Sequence, residues 1–453
     1  MNNIISEILK AFFVSFVYIS LFIFSEVIHK RLKIPVEWTR KSVHFLSALI
    51  AVSFPFIFRY TITLFILSIS FVIIIVIGER KRLLTSISDV ERETFGSIIF
   101  PVSIFILYIF GKNNFIAYAI SLIVLAVSDP LAALVGISYG HFKYKVQTEL
   151  KSIEGSVTFF FITFLLVHIP VLVYTNVSRV NSLFISFLVS IIITLLESIS
   201  FEGSDNIVIP VGTFFILNKL LTKPTEMVFA QIFILIFIIL VSIIITKSVK
   251  NISSSGVITI IISCYIAWSL GGINYYLSSI FFIIGFLVMN IIFQIRPSND
   301  IKMFKVLDIL RIIVIPISFV FFANFFSMED YFYYPYILSL SIHLTLLWRH
   351  CFIDRTVMLK LFRNKRKIFS NFGSIFSYIL FILPTLFLIK KNFLYLSITF
   401  FISNIFSDAV YSILRYSLYK DISLSENRSI RNFVNIIITA LFFIFRAIKI
   451  LKI

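Results

Sequence analysis

The sequence predicts an all-α, polytopic transmembrane protein, and three observations predict it. Of 453 residues 59% are hydrophobic and only 14% charged, with a mean hydropathy of +1.02, more apolar than the water-facing surface of a soluble domain allows. The apolar residues lie in long runs near the roughly 20 residues that cross a bilayer as a helix, without the alternation of a barrel strand. The charges sit in short segments between those runs. Lipid offers the backbone no hydrogen-bond partner, so such runs must satisfy their peptide groups internally, as helices.

Runs bounded by charge or by Gly, Pro and Asn give about sixteen candidate spans. The clearest are Ile8 to Ile28, Tyr60 to Ile77, Ser156 to Tyr174, Met227 to Ile245, Ser254 to Leu270, Tyr276 to Ile295 and Val306 to Phe326. The first is too long for a signal-peptide core, and Lys30 and Arg31 follow it without a small-residue cleavage pattern, so it reads as a retained span. With the N-terminus outside, most of the 40 lysines and arginines fall on inward connections, as the positive-inside rule requires. The net charge of +18 therefore reads as orientation and lipid-headgroup contact, and nucleic acid is not an expected partner. Cys264 and Cys351 carry no partner motif, so neither a disulfide framework nor a thiolate metal centre is expected. Lys223 and Pro224 interrupt two apolar runs, and beyond them the inward loops turn mainly basic. The chain divides there into two membrane modules, 1–225 and 226–453.

Polar residues of the first module form five clusters, all on the side read as inward. Arg40, Lys41 and His44 open the second span, with Arg40 and His44 on one helix face. Glu79, Arg80, Glu91, Arg92 and Glu93 precede Gly96 and Ser97. Asp129 sits within an apolar run; a carboxylate there is costly unless it faces a protein interior or a water-filled cavity. Ala133, Gly136 and Gly140 follow it on roughly the same face, a strip that admits close approach of a backbone or a phosphate chain. Helix packing through this GxxxG is the plain alternative, and it leaves Asp129 unexplained. Gly136 to Gly140 also spell GxSxG, but no strand precedes Ser138, so a hydrolase elbow is excluded. Lys151, Ser152, Glu154, Gly155 and Ser156 place unpaired amides at a helix start beside a lysine, which suits phosphate or a simple N-cap. Glu197, Glu202, Gly203, Ser204, Asp205 and Asn206, before Pro210 and Gly212, make an acidic loop that asks for a cation, with Mg²⁺ the economical candidate. No Walker A, dinucleotide or HExxH motif is present.

RKSVH (Arg40 to His44), SDPLAALVGISYG (Ser128 to Gly140), KSIEGS (Lys151 to Ser156) and DNIVIP (Asp205 to Pro210) resemble, in order and spacing, the polyprenol and phytol kinases. That family includes dolichol kinase and the yeast-type CTP-dependent diacylglycerol kinase. The resemblance covers roughly Arg40 to Leu221; Ser128 stands where many members have glycine. It implies CTP-dependent phosphorylation of an isoprenoid alcohol at the cytoplasmic membrane face. It implies Asp129, Lys151, Asp205 and His44 as catalytic groups, and Asp129, Asp205 and Glu197 around Mg²⁺. Arg40, Lys41, Ala133, Gly136, Gly140, Ser152, Glu154, Gly155, Ser156 and Asn206 are implied around the nucleotide. A diacylglycerol kinase, or a lipid transporter or flippase without kinase activity, are the alternatives.

The second module is similar, more faintly, to the phytyl-phosphate kinase family of integral membrane proteins, through SSGVITIII (Ser254 to Ile262), FGSIFS (Phe372 to Ser377), SDAVYSILRY (Ser407 to Tyr416) and NFVNIII (Asn432 to Ile438). Several acidic and glycine positions of that family are absent, and His350 to Arg355 replace a carboxylate motif. This resemblance implies a degenerate copy that handles the phosphorylated product, with Asp408 and Asn435 its first residues to test. The richness in Ile, Phe, Asn and Lys suits an AT-rich genome, and a bacterial inner membrane is the expected location.

Overall fold

The structure is a computed structural model that describes residues 2–81, 95–247, 252–293, 304–353, 372–388, 393–418 and 424–451. The chain forms two compact units, Met1–Ile234 and Leu235–Ile453. Eleven of the described helices are long and apolar enough to cross a membrane, so the protein is an all-α, multi-pass membrane protein. They do not fix the count of about sixteen spans, because several further helices are shorter or more polar than a lone span requires.

In the first unit α1 (Asn2–Leu32) ends on His29, Lys30 and Arg31, bases that suit the negative end of a helix dipole. Pro35 precedes α2 (Val36–Val52), and α3 (Phe54–Ile57) and α4 (Thr61–Arg80) follow. Next come α5 (Gly96–Gly111) and α6 (Phe115–Tyr139), whose first turn is capped by the Asn114 side chain accepting from Ala117 N–H at 3.3 Å. After a hairpin, β1 (Lys143–Val146) and β2 (Glu149–Ser152), come α7 (Ile153–Tyr174), α8 (Arg179–Ile199) and α9 (Asp205–Leu220). The buried α6 packs on α2, α7 and α9. Small hydroxyl residues make such close packing feasible in lipid by donating to carbonyls one turn back: Ser121 donates to Ala117 O (2.6 Å) and Ser186 to Ser182 O (2.7 Å).

The chain passes to the second unit along α10 (Thr225–Lys247). There α11 (Ser254–Gly271), α12 (Ile273–Phe293) and α13 (Val306–Phe326) precede α14 (Glu329–Ile353). Residues 336–347 of α14 are buried throughout. Around α14 pack α12, α13, α15 (Gly373–Ser377), α17 (Phe393–Leu418) and α18 (Leu424–Leu451), while α16 (Leu383–Phe387) rests on α12 and α17. A π-helical turn, Tyr378–Ile382, separates α15 from α16, where Pro384 has no N–H to offer Leu380. Asp408 is ion-paired with Arg349 (2.6 Å), and Asn435 donates to the Ser339 carbonyl (3.2 Å). The backbone of Asp354 and Arg355, and the side chains of His350 and Cys351, lie outside the described residues.

Candidate active site

The hairpin is the element absent from the sequence reading, and it organises the site. Its register pairs Tyr144 with Lys151 and Val146 with Glu149; strand alternation therefore puts all four on one face. That face looks into the unit: Val146 is fully buried, while Lys143 and Lys145 on the other face are exposed. Lys151 Nζ reaches α8, where it bonds the Glu197 carboxylate at 2.6 Å and the Glu197 carbonyl. Burial opposes the charge on Lys151, but the carboxylates of Glu197 and Asp205 outweigh it and hold the ammonium above its ordinary value. Tyr144 bonds Ser156 Oγ at 3.0 Å, and burial pushes its phenol up.

Two cavities meet in this unit. One runs among α1, α2, α4 and α5, and its charged lining residues gather at one end. The other, a cleft, lies between the hairpin, α6 and the start of α7, and its walls include Lys143, Lys151, Ser152, Ser156 and Glu197. Lys41, Asp129, Ala133, Glu149 and Asp205 line both. The junction of an apolar chamber and a polar cleft is thus built from a lysine and three carboxylates, and Asp129 and Asp205 interact there electrostatically.

The expected residues divide by location. Arg40, His44 and Asn206 line the polar end of the apolar chamber. His44 Nε2 is buried without a protein partner, its ring lies 4.3 Å from that of Phe100, and Asn206 is anchored by donating to Gly96 O (2.9 Å). Gly136, Ser152, Gly155 and Ser156 line the cleft. Gly140 and Glu154, expected beside the nucleotide, line neither. One Glu154 oxygen instead accepts from His141 and Phe142 N–H (3.0 and 3.1 Å), holding the turn into the hairpin. Gly140 packs against Ser152, and a Cβ on it would stand 2.8 Å from Ser152 Cβ. The Ser152 side chain takes Gly155 N–H at 3.1 Å as an N-cap, so one of the amides expected to face phosphate is already satisfied. Ser128 is fully buried and accepts from Thr163 Oγ1 at 3.0 Å, which accommodates a serine there. Ser97 donates to Glu79 at 2.7 Å; Glu91, Arg92 and Glu93 lie outside the described residues.

Glu149 was not among the expected residues. It lines both cavities and accepts Glu202 N–H at 3.0 Å, tying the hairpin to the acidic loop, where Glu202 and Gly203 have φ of 52° and 85°. The signal that finds it is strand alternation with Lys151, visible only once 143–152 is read as a hairpin. Among the described residues no group of three or more His, Cys, Asp or Glu side chains is placed to hold a metal by protein ligands alone. Glu197 is engaged by Lys151, which leaves Asp129 and Asp205 as the carboxylates at the junction among those expected to ligate.

No family model matches the chain, and no match to a solved structure reaches significance. The chain is 36% identical over 142 residues to a phytol kinase of Synechocystis sp. (strain ATCC 27184 / PCC 6803 / Kazusa), a stretch that covers 31% of this chain and 60% of that relative. The chain therefore carries a phytol/polyprenol-kinase-like region.

Proposed function

We infer that the first unit transfers a phosphoryl group from CTP to the hydroxyl of a lipid-soluble isoprenoid alcohol at the cytoplasmic face of the membrane. The observation that carries this reading is the shared wall of the two cavities, Lys41, Asp129, Glu149 and Asp205. An apolar chamber suits a hydrocarbon tail and a polar cleft suits a nucleotide, and only at their junction can a tail-bearing hydroxyl meet a phosphate. The similarity to a phytol kinase supports the same chemistry.

Phosphoryl transfer needs positioning and charge stabilisation more than covalent help from the protein. Lys41 stands where it neutralises charge on the transferred group, and one of Asp129 and Asp205 accepts the hydroxyl proton. The other carboxylate, with the nucleotide's own phosphates, matches the donor set that Mg²⁺ takes, one or two carboxylates completed by phosphate and water. When bound, the ion supplies charge neutralisation across the phosphates. Lys151 and Glu197 hold the hairpin over the cleft, and the His44 ring flanks the hydroxyl end of the chamber.

The full chain in lipid nanodiscs, given labelled CTP or ATP with phytol, geranylgeraniol or diacylglycerol, is expected to make the isoprenoid monophosphate from CTP. Asp129→Asn is expected to lower the rate by at least ~100-fold. Unchanged turnover in that variant overturns the site.

A further inference from the structure

The second strand of the hairpin grips the connection between α8 and α9 at two points. Glu149 and Lys151 share one face of β2 because side chains two apart on a strand point the same way. Lys151 holds Glu197, near the end of α8, and Glu149 accepts the Glu202 N–H at 3.0 Å. Asp205, the first residue of α9, follows three residues later at the junction of the two cavities.

The connection satisfies several of its own amides. Ser200 N–H donates to Glu197 O (2.9 Å), Phe201 N–H to Ser204 Oγ (3.0 Å) and Ser204 N–H to Phe201 O (3.0 Å). Glu202 is held from outside on both sides instead. Its N–H goes to the hairpin, and its carbonyl accepts Phe95 N–H at 3.0 Å from the start of α5. Its φ of 52° is left-handed, and Gly203 follows at 85°. A residue with a side chain stays in that region only where its surroundings hold it there, and here two other elements do. Past the turn, Asn206 donates to Gly96 O at 2.9 Å, and its own N–H bonds Asp205 Oδ1 at 3.0 Å. The Asp205 carboxylate is thus aimed through a turn that Glu149 completes.

We propose that Glu149 is a positioning residue: by accepting the Glu202 N–H it sets the turn that aims Asp205, so Asp205 is in place only while the hairpin is docked. The inference rests on the kinase reading for its effect on rate alone; the coupling of hairpin to turn is a matter of structure. Glu149 contributes an acceptor oxygen at the right reach. Gln keeps the reach and loses the charge, whereas Asp keeps the charge and falls short by one methylene. A metal ligand or general base needs the charge, and would reverse the order of the two variants.

Hydrogen–deuterium exchange of the full chain in nanodiscs reads the coupling without turnover. Glu149→Asp is expected to speed exchange across residues 199–206 and around Phe95 by about tenfold, the weight of one hydrogen bond to a charged group, with Glu149→Gln near the wild type. Wild-type exchange in Glu149→Asp overturns the coupling whether or not the protein turns over, and so does equally fast exchange in both variants.

Kinetics read the aim of Asp205. With CTP and phytol, Glu149→Asp is expected to lower kcat about tenfold with both KM values within about twofold, as misplaced catalytic groups do. Glu149→Gln should recover most of that loss; an active Asp variant beside an inactive Gln variant overturns the proposal. In an Asp205→Asn background Glu149→Asp should cost nothing further, since the two residues act in one path. A full second loss there also overturns it. Glu202→Gly, which keeps both backbone bonds and suits the left-handed φ, should keep kcat within about twofold, and a tenfold loss would move the effect from the peptide to the side chain and overturn it. No phosphorylation by the wild type beside the expected exchange pattern keeps the coupling and overturns the kinase reading.

Discussion

Asp129 and Asp205 stand together where the apolar chamber meets the polar cleft, and Lys151 and Glu197 stand just behind them. The two pairs differ in what their loss does. Lys151 and Glu197 are mostly buried, with side-chain exposures of 15% and 11%, and removing one partner of a buried pair costs about 3–5 kcal/mol because the other charge is left uncompensated. Glu197→Gln is therefore expected to undock the hairpin, read as faster tryptic cleavage after the exposed Lys143 and Lys145. The raised pKa of Lys151 fixes the sign of the pH effect. A cation whose folded value lies above its free value of about 10.4 keeps its full contribution below that value and loses it only as pH rises through the folded one. From its side the pair should hold the hairpin equally well between about pH 7 and pH 9.5, and protection of Lys143 that fell across this range would contradict it. Asp129 is legible in the sequence because a charge in an apolar run demands a reason, and Glu149 is not, because only the hairpin's alternation puts it beside Lys151. Nor is the role of Glu154 legible: its carboxylate serves the backbone of residues 141–142, and spacing alone does not separate a loop brace from a ligand.

At the scale of elements, the helices follow from the lengths of the apolar runs, and α13 occupies Val306–Phe326 as the sequence predicts. The hairpin was hidden because its turn lacks the Asn-Gly or Gly-containing pair that marks such turns; Gln147 takes φ 51° there without a glycine. The glycine strip has a dual character that sequence could not divide. A Cβ on Gly155 would meet Ala132 O at 2.9 Å and Ser152 Oγ at 3.1 Å, and one on Gly136 would meet Ser152 Oγ at 2.9 Å. The strip thus sets the α6–α7 crossing as well as lining the cleft. Gly155→Ala is expected to force that crossing apart, lowering thermal stability and reducing phosphoryl transfer at least ~10-fold through displaced catalytic groups. Gly212→Ala is the matched control. Its added methyl would meet only the side-chain ends of Ile193 and Leu196 at 3.3 Å, and the gain in helix propensity of about 1 kcal/mol offsets the crowding. Equal losses in the two variants, by thermal shift and by rate, would remove the crossing from the account.

For the whole molecule, two compact units mean that chemistry and stability can be perturbed separately. Every residue assigned above to phosphoryl transfer lies within Met1–Ile234. The second unit has its own buried polar seam along α14, where Arg349 pairs with Asp408 at 2.6 Å and Asn404 donates to Ser341 Oγ at 2.5 Å. Asp408 and Asn435, to which the faint resemblance of this unit points, are both engaged in internal bonds. Arg349→Met leaves the Asp408 carboxylate buried without its cation and is expected to destabilise the protein by about 3–5 kcal/mol, whereas Arg349→Met with Asp408→Leu recovers most of that loss, since an apolar pair replaces the ions. Substitutions at sites that share no partner act additively. The double variant should therefore phosphorylate its alcohol with a kcat/KM within about twofold of the wild type, measured per folded molecule in nanodiscs. A larger loss in a double variant whose thermal stability has returned would mean that the second unit takes part in the transfer reaction itself.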